Sequence, residues 1–170
     1  SIVTYEPIRD RISFVVNLII GWIKLRDIPI DKKRLAIILS NYPNKDSRIG
    51  NGVGLDTPAS AVSILKALKK RGYLIKNIPE NSASLMKMIR KGPTNNISKS
   101  DQNESEATFS LKDYQVLFEL LPKKVQLEIN EKWGAPIKDP FFKGEYFVLP
   151  VCIFGNVVLG IQPARGYNID

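Results

Sequence analysis

An α/β fold is predicted by three features of the sequence. "RLAIILS", residues 34–40, is a short continuous apolar run of strand length, the pattern of a strand buried on both faces of a parallel sheet. A glycine-bearing polar stretch follows, after which Ala61, Ile64, Leu65 and Leu68 mark one face of a helix. Near the end of the chain two β-rich runs flank Gly155-Asn156, the signal of a hairpin. Together these describe a Rossmann-like parallel strand-helix-strand unit with additional helices and a C-terminal β-hairpin.

Along the chain, Ile8, Ile12, Val15, Ile19 and Trp22 recur at three- and four-residue steps, giving an amphipathic helix from about Pro7 to Arg26 that Pro29 ends. Beyond the first strand and the glycine loop, Asp56 or Thr57 caps the next helix, Pro58 takes a tolerated first-turn position and Gly72 stops it. "YLIKNIP", residues 73–79, reads as the second strand of the parallel crossover, and "SASLMKMIRKG" as a short helix. "GPTNNISKSDQNESEAT", residues 92–108, is polar and nearly without apolar side chains, the composition of a flexible insertion. "SLKDYQVLFELLP" and "KKVQLEINEKWG" give two more helices, the first capped by Ser110 with Asp113 three residues on. "EYFVLPVCIF" and "VVLGIQPARGY" form the hairpin and carry Gln162, Arg165 and Tyr167 into a loop at its far end. Four regions result: a helix at 1–30 joining from a preceding region, an α/β unit at 31–91, a flexible polar insertion at 92–108, and a helical pair and hairpin at 109–170 continuing the same domain. Opening at Ser1 and closing on "GYNID", the chain reads as an internal fragment.

The formal charge is +8, from 25 Lys and Arg against 17 Asp and Glu. Lys69, Lys70, Arg71, Arg90 and Lys91 fall in the last turns of predicted helices, where cations meet the helix dipole favourably. With no basic stripe interleaved with aromatics, no nucleic-acid partner is expected, and the basic surface suits a polycarboxylate ligand or an acidic protein. The single cysteine, Cys152, lies in an apolar run, so a buried thiol in a reducing, cytoplasmic compartment is expected. The longest apolar run, Ile12 to Ile23, is interrupted by Asn17 and falls short of the ~20 apolar residues that span a bilayer, so no membrane association is expected.

"NYPNKDSRIGNGVGLDTPAS", residues 41–60, is the candidate binding loop. In open α/β sheets ligands bind outside the carboxyl ends of strands, and residues 41–56 lie there, leading into a helix amino terminus. Gly50, Gly52 and Gly54 either let backbone donors approach a ligand or permit left-handed turns. Leu55 stands where a third dinucleotide-type glycine would be, and no Gly-Lys-Ser/Thr follows, which argues against direct ATP binding. On residue pattern alone, a long structural turn closed by a capped helix is as open as a ligand loop.

"AIILSNYPNKDSRIGNGVGLDTPAS" and "FGNVVLGIQPARGY" closely resemble the large subunits of aerobic, ATP-dependent cobaltochelatases, which belong with the large subunits of magnesium chelatases. "RIGNGVGLDTPAS" is similar to the cobalt-type form, and the magnesium-type subunits depart from it around the glycines. The resemblance implies insertion of Co2+ into hydrogenobyrinic acid a,c-diamide in cobalamin synthesis, with the macrocycle held by the large subunit. It also implies that ATP and Mg2+ are handled by separate AAA+ ATPase and companion chelatase subunits. Co2+ is then the substrate metal, and the fragment binds no cofactor of its own. Insertion of Mg2+ into protoporphyrin IX, or a non-catalytic α/β binding or scaffold role, are the alternatives.

Metallation requires two pyrrolic protons to leave and the metal to shed water, so the site needs proton acceptors and oxygen or nitrogen ligands. The sequence contains no histidine; the family carries a His-containing segment soon after the "QPARGY" motif. Within the motifs, Arg48 and Arg165 either clamp peripheral carboxylates of the substrate or are plain surface. Asp56 either accepts a proton or holds a metal-bound water, or caps the helix. Asn41, Asn51 and Gln162 orient ligand groups or brace turns. Tyr42 lies against the flat macrocycle or joins the core, and no residue is assigned as a metal ligand. Two motifs serving one macrocycle would have to emerge on the same side of the fold, or both at an edge completed by other parts of the subunit.

Overall fold

A computed structural model of the chain describes residues 5–42, 45–96 and 107–163. Helix α1 (Arg9–Asp27) forms where the periodicity predicts it, but none of its residues is buried. Arg9, Ser13, Asn17, Gly21 and Lys24 make one narrow polar stripe, and most of the remaining circumference is apolar. Phe14 is 67% exposed and Trp22 68%. A helix apolar over most of its circumference is suited to an interior position, and within this chain α1 adds nothing to the core.

The core is built on a three-stranded sheet in the order β1 (Leu35–Leu39), β8 (Val157–Ile161), β7 (Val151–Phe154). Strands β1 and β8 are parallel, in register from Leu35 opposite Val157 to Leu39 opposite Ile161; β7 and β8 are antiparallel. This corrects two expectations. The parallel partner of β1 is the second strand of the hairpin, while residues 73–79 carry no strand. Asn77 takes a positive φ of 54° and Pro79 offers no N–H, so that run cannot sustain a ladder. The strand buried along its length is β8, with Val157, Leu159, Gly160 and Ile161 all buried, whereas β1 is an edge strand with Ile38 58% exposed. The mixed α/β class and the C-terminal hairpin stand as predicted.

Helices α2 (Thr57–Lys70) and α3 (Ser82–Lys91) cover the sheet. Ala61, Val62 and Leu65 of α2 and Leu85 and Ile89 of α3 pack with Leu39, Ile49, Ile75, Phe154, Val157, Leu159 and Ile161. Burying each large apolar side chain of this set contributes about 1.5–3 kcal/mol. Cys152 is in no disulfide and lies half-buried against the same cluster.

A second, smaller antiparallel sheet has the order β4 (Thr108–Ser110), β6 (Tyr146–Val148), β5 (Phe142–Lys143). "EYFVLPVCIF" is thus split at Leu149-Pro150 between two sheets, since proline cannot donate to a continuing ladder. Helices α4 (Leu111–Glu119) and α5 (Lys123–Trp133) accompany it. The predicted cap is present: the Asp113 N–H donates to Ser110 Oγ at 3.0 Å, and Ser110 Oγ donates to Asp113 Oδ2 at 2.6 Å. Tyr114 stacks on Phe118 with centroids 5.6 Å apart and tilts against Phe147 at 5.4 Å.

The hairpin turn also anchors the 73–79 segment. Gly155 has φ +70°, and the Asn156 N–H donates to Leu74 O at 2.9 Å. A Cβ on Gly155 would lie 2.6 Å from that carbonyl oxygen, closer than real carbons come to backbone. Gly155→Ala is therefore expected to destabilise the chain by roughly 1–3 kcal/mol through positive φ and this clash. The measurement is urea unfolding, and an unchanged midpoint would mean that the Leu74 segment yields without cost.

Candidate functional site

Because β1 and β8 are parallel, the chains leaving Leu39 and Ile161 emerge side by side at one end of the sheet. The Gln162 N–H donates to Leu39 O at 2.8 Å, placing the start of the second motif against the root of the first. The glycine loop then folds back on itself. Asn41 bridges Ile49, the Gly50 N–H donates to Ser40 O at 2.7 Å, and Ser40 Oγ donates to Asn51 O at 2.7 Å. A minute hairpin follows, β2 (Asn51–Gly52) paired with β3 (Leu55–Asp56), its tip at Val53 fully exposed.

A third segment joins them. Thr94 Oγ1 donates to Asp46 Oδ1 at 2.8 Å, the Asn96 N–H donates to Thr94 Oγ1 at 3.2 Å, and Asn95 Nδ2 donates to Gln162 O at 2.8 Å. Thr94 is only 2% exposed. Sequence reasoning places these residues in a flexible insertion because hydroxyl and amide groups read as loop composition. In the structure, residues 92–96 pack against both motifs, while 97–106 lie outside the described residues. The one local signal is Gly92-Pro93 directly after α3, which ends the helix and redirects the chain toward the strand ends.

The predicted site residues fall into distinct places. Asn41 is 1% exposed, and among the described residues neither its Oδ1 nor its Nδ2 has a hydrogen-bond partner. Tyr42 is 61% exposed, so it is not a core aromatic; Arg48 and Asn51 are also exposed. Gln162 is half-buried at the junction of the three segments, and Arg165 and Tyr167 lie outside the described residues.

Two of the glycines have conformational reasons: Gly50 is buried at φ +68° beneath Pro58, and Gly54 turns the small hairpin at φ +71°. Gly52 has a packing reason, because a Cβ there would meet Thr57 Oγ1 at 2.8 Å. Asp56 caps α2, its Oδ1 accepting the Ala59 N–H at 2.9 Å while its carbonyl accepts from Ser60 Oγ at 2.8 Å. Among the described residues, no three His, Cys, Asp or Glu side chains come together as a metal site. The arrangement is a neutral polar floor of amides and hydroxyls with one carboxylate, Asp46. Above it an exposed loop presents Tyr42, Arg48, Val53 and Leu55.

The family described as CobN/Magnesium Chelatase matches residues 1–170. The aerobic cobaltochelatase subunit CobN of a Sinorhizobium species is 44% identical over the whole of this chain, which spans 13% of that relative's length. The H subunit of the magnesium chelatase of Chlorobaculum parvum is 29% identical over 97% of the chain, again 13% of the relative. A solved structure, the catalytic subunit of cobaltochelatase from Mycobacterium tuberculosis, superposes with a TM-score of 0.68 at 32% identity, covering 84% of this chain and 12% of that one.

The capping geometry yields a separable expectation for Asp56. Asp56→Asn keeps an acceptor for the Ala59 N–H and should hold stability, whereas Asp56→Ala should lose about 1 kcal/mol of it. Thermal unfolding of the two variants decides the matter, and equal melting temperatures would deny the cap any energetic role.

Proposed function

The chain belongs to the CobN/magnesium chelatase family, and on that premise we propose that it forms part of the tetrapyrrole-binding large subunit of a cobalt chelatase. The reaction is insertion of Co2+ into hydrogenobyrinic acid a,c-diamide, an ATP-dependent ligation forming nitrogen–metal bonds. The observation that carries this reading is the convergence, through the β1–β8 pairing, of the glycine loop and the start of the second motif at one end of the sheet. Cobalt is favoured over magnesium by 44% identity to a cobaltochelatase subunit against 29% to a magnesium-chelatase one.

In this reading the exposed Arg48 pairs with a peripheral carboxylate of the macrocycle, Tyr42 covers part of its flat face, and the floor around Gln162 orients polar side groups. Asp56 holds α2 with Oδ1; as an exposed carboxylate it remains able to take a proton or a metal-bound water. ATP is hydrolysed by AAA+ partners acting with companion subunits, in keeping with a glycine loop that lacks the Gly-Lys-Ser/Thr of a phosphate loop. An unbridged Cys152 and the lack, among the described residues, of any helix long and apolar enough to cross a membrane suit a reducing cytoplasm.

The test uses the full-length protein with its ATPase partners, offering Co2+ or Mg2+ with the corrin diamide or protoporphyrin IX and following absorbance. ATP-dependent cobalt corrin formation is expected. Magnesium protoporphyrin as the product would move the assignment to the magnesium-chelatase reaction, and no tetrapyrrole binding at all would favour a scaffold role. Arg48→Ala should weaken corrin binding about tenfold, the worth of one charge-assisted contact, without lowering the melting temperature. The 170-residue chain alone should insert no cobalt, since it has no histidine to serve the metal.

A further inference from the structure

We propose that the Asn41 carboxamide determines specificity for the tetrapyrrole by receiving a primary carboxamide on the ligand's periphery and disfavouring the corresponding carboxylate. The proposal rests on the tetrapyrrole reading above and adds to it the chemistry of one contact.

Asn41 is 1% exposed, with both side-chain polar atoms unpaired among the described residues. Buried polar groups are almost always bonded, because leaving them unmet forfeits their hydration with nothing in return. The polar side chains described at this end of the sheet bond elsewhere: Thr94 to Asp46, Asn95 to the Gln162 carbonyl, Ser40 to the Asn51 carbonyl. Asn41 is also well placed for a ligand. It is two residues past β1, at the strand end where the two motifs meet, and its backbone bridges Ile49 inside the glycine loop.

A carboxamide presents a donor and an acceptor side by side, and the group that satisfies both at once is another carboxamide. A carboxylate would accept from Nδ2 but set its second oxygen against Oδ1. In a site closed to water that mismatch is not relieved by solvent, which is how a polar pocket rejects a near-isostere. Because the Asn41 side chain is buried in the ligand-free protein, its contact with a ligand group requires a local rearrangement around it. Binding should therefore show a slower second phase after encounter with the exposed Tyr42 and Arg48 surface.

The experiment compares the full-length wild-type protein with Asn41→Leu, titrating two corrins that differ only in amidation of their peripheral acetates, with fluorescence quenching as readout. Wild type should prefer the amidated corrin about tenfold or more. Asn41→Leu should lose that preference while the ligand-free protein melts at the same or a higher temperature, because an unpaired polar group has been replaced by an apolar one of similar size. Should the leucine variant fold poorly, Asn41→Ser should show the same loss of preference. Retained preference in these variants overturns the proposal. So does a lower melting temperature with preference intact, which marks a structurally paired asparagine or a buried water. Wild type binding both corrins equally sinks the Asn41 assignment alone, whereas wild type binding neither sinks the tetrapyrrole reading beneath it.

Discussion

Parallel pairing of β1 with β8 is the constraint on which the rest of the structure depends. Two strands can be parallel neighbours only if the chain returns to the starting end between them, and here the return is made by β7, which runs antiparallel to β8 into the Gly155-Asn156 turn, after α2 and α3 have led the chain along the sheet to the Leu74 segment and back to the Gln162 end. The same pairing makes β8 the central strand, so the hairpin's own partner, β7, falls on the far side. Gly160 allows the close fit: a Cβ there would stand 3.1 Å from Val151 Cγ1 on one side and 3.2 Å from Ile38 Cδ1 on the other. Direction then does the remaining work. Parallel strands release their chains at the same end, so the root of the glycine loop and the start of the second motif become neighbours.

What could be read from the sequence was what local chemistry decides. Asp56, Ser110 and Gly155-Asn156 act on residues within a few positions of themselves, and each stands where its chemistry puts it. Strand partnership is not local. A continuous apolar run looks alike whether it belongs to residues 34–40 or 157–161, and the nearest later run, 73–79, is the economical partner for the first. The structure chose the run with the longer uninterrupted buried row. Polar residues pose the opposite difficulty. Thr94 and Asn95 carry no periodicity, so nothing in the sequence separates a hydroxyl buried against Asp46 from one facing water.

The glycines show how one pattern serves two ends. Gly50 and Gly54 occupy left-handed backbone, and Gly52 clears the first residue of α2, so all three are accounted for by the turn itself. Yet the turn they make is what lifts Tyr42, Arg48 and Val53 into the open while folding Asn41 beneath. A loop of bulkier residues would need a longer path to close on Ser40, and the polar floor would lose its cover. Structural and ligand-facing readings of the loop are therefore not rivals: the first is the means by which the second becomes geometrically possible.

The distribution of charge and ligand chemistry then suggests a division of labour within the proposed subunit. This segment has no histidine, and of the two acidic side chains in its loop Asp46 accepts from Thr94 and Asp56 from the α2 amide. What it offers instead is neutral amide and hydroxyl chemistry, an exposed arginine and an overall positive charge, which favour gripping a polycarboxylate periphery over removing pyrrolic protons. Helix α1, apolar around most of its circumference, is consistent with a position inside a much longer polypeptide, the Sinorhizobium relative being nearly eight times as long as this chain by the 13% coverage. If the macrocycle's edge is held here, its metal-binding centre must face groups supplied by other parts of that polypeptide. Metal delivery would then belong to those parts, and the loop described here would decide which macrocycle is presented to them.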